Sequence, residues 1–248
     1  MPRQARKKSE TGMYHVMARG INKQAIFQDN EDYLKFLEIL GTVKAISEFE
    51  IFAYCLMSNH YHILLKTGKE DLGQIFKRMG ARYVYWYNFK YQRTGHLYQD
   101  RYKSERIESD KYFITAMRYI HQNPIKAGIP EGINYKWSSY QEYLGKTQII
   151  DSELMLNIMS KKEFIRYHQE INQDQFLEYE EKGARMTDEE AELIIRRMKK
   201  IKSKEEKSIQ QMPKADRDEL IKQIKEAGLS IRQISRLTGL TYARIRNI

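Results

Sequence analysis

The 248-residue sequence has a single cysteine, Cys55. It has no partner for a disulfide, so the fold cannot rest on one, and a reducing cytoplasm is the expected compartment. Long apolar runs are also missing. The strongest, Ile51–Met57 and Tyr61–Leu65, are strand length, far short of the roughly 20 residues a membrane span needs. The basic segment Met1–Lys8 has no apolar stretch behind it and is not read as a signal peptide. There is no internal repeat and no low-complexity tract. Proline is scarce, at four residues, so each one is informative about where regular structure ends.

What is present is positive charge and tyrosine. Lys and Arg number 43 against 33 Asp and Glu, a net charge of +10, which points to a polyanionic partner. Hydrophobic residues make up 41% of the chain and charged residues 31%, a balance that supports a folded core rather than disorder. Tyrosines number 18, and several adjoin a base: Arg82-Tyr83, Arg101-Tyr102-Lys103, Lys111-Tyr112 and Arg118-Tyr119. Cations for phosphates beside rings for unpaired bases suit single-stranded nucleic acid.

The first 145 residues alternate strand and helix patterns. Met13–Arg19 reads as a strand and Glu31–Glu48 as a helix with Tyr33, Phe36, Leu37, Leu40 and Val43 on one side. Phe49–Met57 and His60–Lys66 read as strands joined at Ser58-Asn59, and Asp71–Tyr91 as a long helix. Leu97–Ile107 reads as a strand, and Ser109–Gln122 as a helix stopped by Asn123-Pro124. That order predicts an α+β fold with helices against one face of the sheet. From 146 to 200 the pattern is helical, with capping boxes at Ser160/Glu163 and Thr187/Glu190. A charged stretch, Lys199–Lys214, reads as a linker spanning about 201–214. Residues 215–248 form a small helical module with a third box at Ser230/Gln233 and a turn at Gly239. This spacing fits a helix-turn-helix with Thr241–Ile248 as its recognition element, Thr241 as its cap, and Arg244 and Arg246 as its DNA contacts.

Two features carry chemistry. In Asn59-His60-Tyr61-His62 the histidines are two apart on a strand, so they project from one face about 6.6 Å apart. So placed, they can grip one divalent metal. Taken alone, such a pair reads first as two histidines bonded to neighbours. The second feature is Tyr119 and Asn123, four apart on a helix and so on one face. A metal held by two imidazoles and an amide oxygen keeps positions open for a phosphate, which the phenol one turn away can attack. A phenol is a weak nucleophile at neutral pH and needs a polarised phosphorus. Arg118, Lys126, Arg101 and Lys103 are candidate sources of further positive charge, and Arg19 a further DNA contact.

Together these features resemble a known family. His60-Tyr61-His62 is similar to the HUH motif. Several stretches resemble REP-associated tyrosine transposases of the single-tyrosine HUH superfamily. They are Met13-Tyr-His-Val-Met-Ala-Arg-Gly-Ile-Asn22, Gly95-His-Leu-Tyr-Gln-Asp-Arg-Tyr-Lys103, Arg118-Tyr-Ile-His-Gln-Asn-Pro-Ile-Lys-Ala-Gly128 and Trp137-Ser-Ser-Tyr140. The resemblance covers about residues 11–145. It implies a ferredoxin-like antiparallel sheet with a catalytic domain over 1–145. His60, His62 and Asn123 would hold magnesium or manganese, and Tyr119 would be the nucleophile joined to a 5′-phosphate. The implied partner is single-stranded or hairpin DNA, with duplex DNA a further partner of the terminal module. The chain could act as a monomer or homodimer. Two alternatives remain open: a sequence-specific DNA-binding regulator with an inactive HUH core, and a relaxase or replication initiator. His121, two residues from Tyr119, is expected to point elsewhere.

Overall fold

A computed structural model describes residues 8–145, 148–170, 176, 188–202 and 209–248. The chain divides into two compact units, Met1–Tyr179 and Glu180–Ile248.

Among the described residues the first unit has four strands: β1 (Met13–Arg19), β2 (Glu50–Met57), β3 (His60–Lys66) and β4 (Lys103–Arg106). All pairings are antiparallel, in the order β2-β3-β1-β4. Helix α1 (Asn30–Ser47) joins β1 to β2, and α2 (Leu72–Lys90) joins β3 to β4. The result is the ferredoxin-like βαββαβ plan. Helix starts follow the local chemistry. Asp29 accepts from the backbone N–H of Glu31 and Asp32 in a capping box, and Asp71 caps the N–H of Gln74.

Strand alternation decides which helices cover which face. Tyr61 packs on Phe36 of α1 and Phe76 of α2, at ring-centroid distances of 4.8 and 6.5 Å. Its neighbours His60 and His62 therefore face the other way. That opposite face carries α3 (Asp110–Lys126), whose Tyr119 lies against His62. The two crossover helices thus share one face, as the ferredoxin-like plan requires. The third helix covers the face that bears the histidines.

Two elements differ from the sequence reading. Only Lys103–Arg106 of the expected strand Leu97–Ile107 joins the ladder. The preceding segment is instead pressed onto the end of the sheet: Leu97 accepts from the N–H of Ile21, and Gln99 donates to Arg19. A loop packed this way buries Leu97 as a strand would, without joining the ladder. Helix α3 does not stop at Asn123-Pro124 but continues to Lys126, with Pro124 inside it. It ends where Gly128 adopts a left-handed φ of 68° and Ile129 donates back to Pro124.

Beyond α3 the chain returns to the sheet. Leu56 donates to Trp137, and Ser139 donates to the carbonyl of Tyr54, so residues 137–139 close the outer edge of β2. Helices α4 (Tyr140–Leu144), α5 (Glu153–Ile158) and α6 (Lys161–Gln169) follow. The Ser160/Glu163 capping box forms. Phe164 and His168 of α6 are buried beside His121 of α3.

The second unit contains α7 (Asp188–Lys202), α8 (Lys214–Glu226), α9 (Ile231–Thr238) and α10 (Tyr242–Arg246). Their shared core includes Ala191, Ile195, Leu220, Ile221, Ile224, Ile234, Leu240 and Ile245. Helix α7 therefore belongs with the terminal helices, whereas α4–α6 lie in the first unit. Of the expected linker, residues 199–202 are helical and Ile209–Gln211 form a 3-10 turn. Residues 203–208, and Thr187 of the expected second capping box, lie outside the described residues. The Ser230/Gln233 box forms, and Gly239 turns the chain with φ of 71°. Thr241 occupies the N-cap position of α10 but makes no side-chain cap bond. Among the described residues no helix is long and apolar enough to cross a membrane.

Candidate active site

The histidines come from β3. His60 and His62 stand edge to face with ring centroids 5.2 Å apart. Each has one nitrogen engaged. His60 Nδ1 meets the Asn59 side-chain oxygen at 2.6 Å, and His62 Nδ1 meets His15 Nε2 at 2.8 Å. Among the described residues no hydrogen bond engages Nε2 of either ring. Burial favours the neutral form of both rings. It lowers His60 to about 4, with Arg19 adding to the shift, and takes His62 well below its ordinary value. A neutral imidazole with an uncommitted nitrogen is a metal donor.

The phenol and the amide come from α3. The Tyr119 ring lies 5.7 Å from the His62 ring in an edge arrangement and is fully buried. Asn123 donates through Nδ2 to the carbonyls of Tyr119 at 2.9 Å and Ile120 at 3.4 Å. The reason is Pro124. In a helix the N–H of residue 124 would serve the carbonyl of residue 120, and proline has none. The Asn123 amide supplies a donor in its place through Nδ2, which leaves its oxygen out of that bond. The candidate donor set is two imidazole nitrogens and an amide oxygen. That set fits a divalent ion such as magnesium or manganese with open positions. Among the described residues no group of three His, Cys, Asp or Glu side chains could hold a metal by itself.

Cations surround this cluster unevenly. The Lys126 ammonium lies 4.2 Å over the Tyr119 ring. Arg19 stands directly opposite His60 across β1 and β3. Lys103 pairs with Met17, which in turn pairs with His62, so it shares their face. Arg101 is exposed in the loop before β4. Arg118 is turned away: its guanidinium lies 4.0 Å over the Tyr167 ring and 3.3 Å from Glu170. Its place in the structure is to tie α3 to α6. Arg244 and Arg246 are exposed on α10 in the second unit. His121 points away from the cluster, as its helical position requires. It bonds His168 at 2.9 Å and Ser139 at 2.8 Å in the buried layer beneath α3.

Three residues of the cluster had no role in the sequence reading. His15, in the Met13-Tyr-His run, is fully buried against His62. Asn59 orients His60. Phe176 lies 4.7 Å from the Tyr119 ring and stacks on Tyr112 at 5.4 Å. The dyad spacing of β1 puts His15 on the His62 face and was a usable signal. Nothing local in the sequence marks Phe176.

The profile of the family described as "Transposase IS200 like" matches residues 8–123, which include His60, His62, Tyr119 and Asn123. This region is similar to the IS200-like transposase family. No curated protein sequence matches the chain. Among solved structures, one described as a REP-associated tyrosine transposase bound to a REP hairpin is 17% identical. The match covers 59% of this chain and 87% of that one, with a TM-score of 0.51. A second, described as a putative transposase from Deinococcus radiodurans R1, is also 17% identical. It covers 48% of this chain and 95% of that one at a TM-score of 0.35. The first match supports the shared fold: an α+β core on a four-stranded antiparallel sheet.

Proposed function

We propose that this chain nicks and rejoins single-stranded or hairpin DNA through a covalent link to Tyr119, in the manner of the REP-associated branch. The carrying observation is the meeting of His62 from β3 and Tyr119 from α3 at 5.7 Å, with the Asn123 amide one turn on. His60, His62 and Asn123 would hold a divalent ion, which supplies charge neutralisation at the phosphate when bound. The Tyr119 oxygen attacks the phosphorus, and the bond to the 3′ oxygen breaks. The 5′-phosphate stays on the tyrosine, and the freed 3′ oxygen takes a proton as the phenol loses one. Attack by a 3′ hydroxyl on that phosphotyrosine reverses the step and joins two ends. Lys126 and Arg19 would balance phosphate charge beside the site. The solved structure bound to a REP hairpin supports hairpin DNA as the substrate form.

The test is incubation of the full chain with labelled palindromic single-stranded DNA, with and without manganese. We expect a protein–DNA adduct that survives denaturation, needs the metal, and is lost in Tyr119→Phe. An adduct that persists in Tyr119→Phe removes the nucleophile assignment. Duplex binding with no nicking under any condition favours the alternative, a DNA-binding regulator on an inactive core.

A further inference from the structure

We propose that His15 is a positioning residue: with Glu105 it fixes the tautomer and orientation of His62, so that Nε2 of His62 carries the lone pair that faces the metal. This inference rests on the metal-site reading above.

The geometry is a row of three groups across adjacent strands. His15 on β1 is the diagonal neighbour of His62, whose direct partner is Met17. On its other side His15 stands directly opposite Glu105 of β4. His15 Nε2 meets His62 Nδ1 at 2.8 Å, and the rings are stacked at 5.1 Å with an interplanar angle of 29°. His15 Nδ1 lies 4.0 Å from Glu105 Oε2. Both of those atoms are buried, and neither has a hydrogen-bond partner among the described residues.

Only one proton lies between the two imidazoles, and its location decides the chemistry. If His15 donated it, His62 would carry its own proton on Nε2 and could not bind a metal there. If His62 donates from Nδ1, its Nε2 is free and His15 must be protonated on Nδ1, toward Glu105. The carboxylate selects the second arrangement. At 4.0 Å the contact is too long for a good hydrogen bond. The Glu105 side chain is 35% exposed, but its facing oxygen and the His15 ring are buried, so the negative charge still favours a proton on the facing nitrogen. The same carboxylate raises the Tyr112 phenol above its ordinary value, second to burial. Metal-bound histidines are ordinarily oriented in this way by an outer partner, whose loss costs about 10- to 100-fold in metal affinity.

The experiment compares Mn²⁺ affinity of the full chain, by calorimetry, in four variants: His15→Leu, His15→Gln, Glu105→Gln and His62→Ala. Leucine keeps the volume and removes the acceptor, whereas glutamine can still accept from His62 Nδ1–H and donate toward Glu105. We expect His15→Leu to bind Mn²⁺ at least 10-fold more weakly and His15→Gln to stay close to the original protein. A second readout needs no metal: ring ¹⁵N shifts should show His62 protonated at Nδ1 in the original protein and a mixture of tautomers in His15→Leu. Equal Mn²⁺ affinity in His15→Leu, or His62 protonated at Nε2 in the metal-free original, overturns the inference. Unchanged binding in His62→Ala instead overturns the metal-site reading itself.

Discussion

The side chain of Asn123 donates to the carbonyl of Ile120, the helix acceptor that Pro124 leaves without its usual donor. Sequence order alone thus orients the candidate amide ligand: the proline creates the vacancy, and the asparagine fills it through Nδ2, leaving its oxygen out of that bond.

Pro124→Ala restores the N–H and gives Ile120 its ordinary partner. Asn123 then loses its reason to turn back. We expect stability to rise by about 1 kcal/mol, a fraction of the ~3 kcal/mol that an interior proline costs, because the site lies in the last turn. We expect nicking to fall about 5-fold, the worth of one hydrogen bond of roughly 1 kcal/mol. Thermal melting and single-turnover nicking check the two effects. A more stable protein that nicks at the original rate would falsify the link between the proline and the amide.

His60→Ala removes one ring nitrogen from the donor set but no phosphate contact. Cleavage should drop by at least ~100-fold while hairpin affinity at matched salt changes less than ~3-fold, because lysine and arginine contacts supply most of the affinity. Gel shifts and nicking assays on the same substrate separate the two. A comparable loss in both would show that the metal also organises the binding surface.

Much of the site was legible because its signals are periodic. His60 and His62 share a strand face by the dyad rule, and Tyr119 and Asn123 share a helix face by the i, i+4 rule. The parts that were not legible depend on what packs where. Leu97 reads as strand because a loop pressed on a sheet end buries side chains as a ladder does. Arg118 reads as a free cation because nothing local announces Glu170 and Tyr167, about 50 residues on. Pro124 reads as a stop because the rescue comes from a side chain rather than the backbone.

Acid should unfold the first unit by way of its buried imidazoles. His168 donates from Nδ1 to the Phe164 carbonyl at 2.8 Å, so its Nε2 accepts from His121 Nδ1, and Ser139 donates to His121 Nε2. Neither ring has room for a second proton. Burial lowers His168 from 6.5 to about 4 and puts His121 well below 6.5. A folded-state value below the unfolded one means stability is fully present above about 6.5 and declines as pH falls toward 4. For His168 alone the loss by pH 5 is about 2 kcal/mol. Melting temperatures from pH 8 to 5 should fall, and His168→Gln should flatten that slope. An equal slope in the variant places the acid sensitivity elsewhere.

Phe176 covers Tyr119, the proposed nucleophile. Tyr119 has no exposed surface, and the Phe176 ring lies 4.7 Å from it. Phe176→Ala should raise the initial rate of adduct formation several-fold and leave hairpin affinity unchanged, since the ring carries no charge. Rapid-quench measurement of the adduct at saturating DNA reads the rate directly. An unchanged rate means that the ring leaves the path of the phosphate without limiting the reaction.

The second unit offers a separate test of duplex binding. Arg244 and Arg246 are exposed on α10, beyond the turn at Gly239, where a helix-turn-helix would present its recognition helix. If both contact phosphates, replacing them with glutamine removes two released counterions. The slope of log affinity for duplex DNA against log salt should then become shallower by about 1.8. Neither residue is near Tyr119 in sequence, and the donor set of the first unit is untouched. Adduct formation on short single-stranded substrates should therefore be unchanged in the double variant. A slope that stays the same would mean that α8–α10 do not hold duplex DNA through α10. A loss of adduct on single strands would mean that the second unit takes part in the first unit's chemistry.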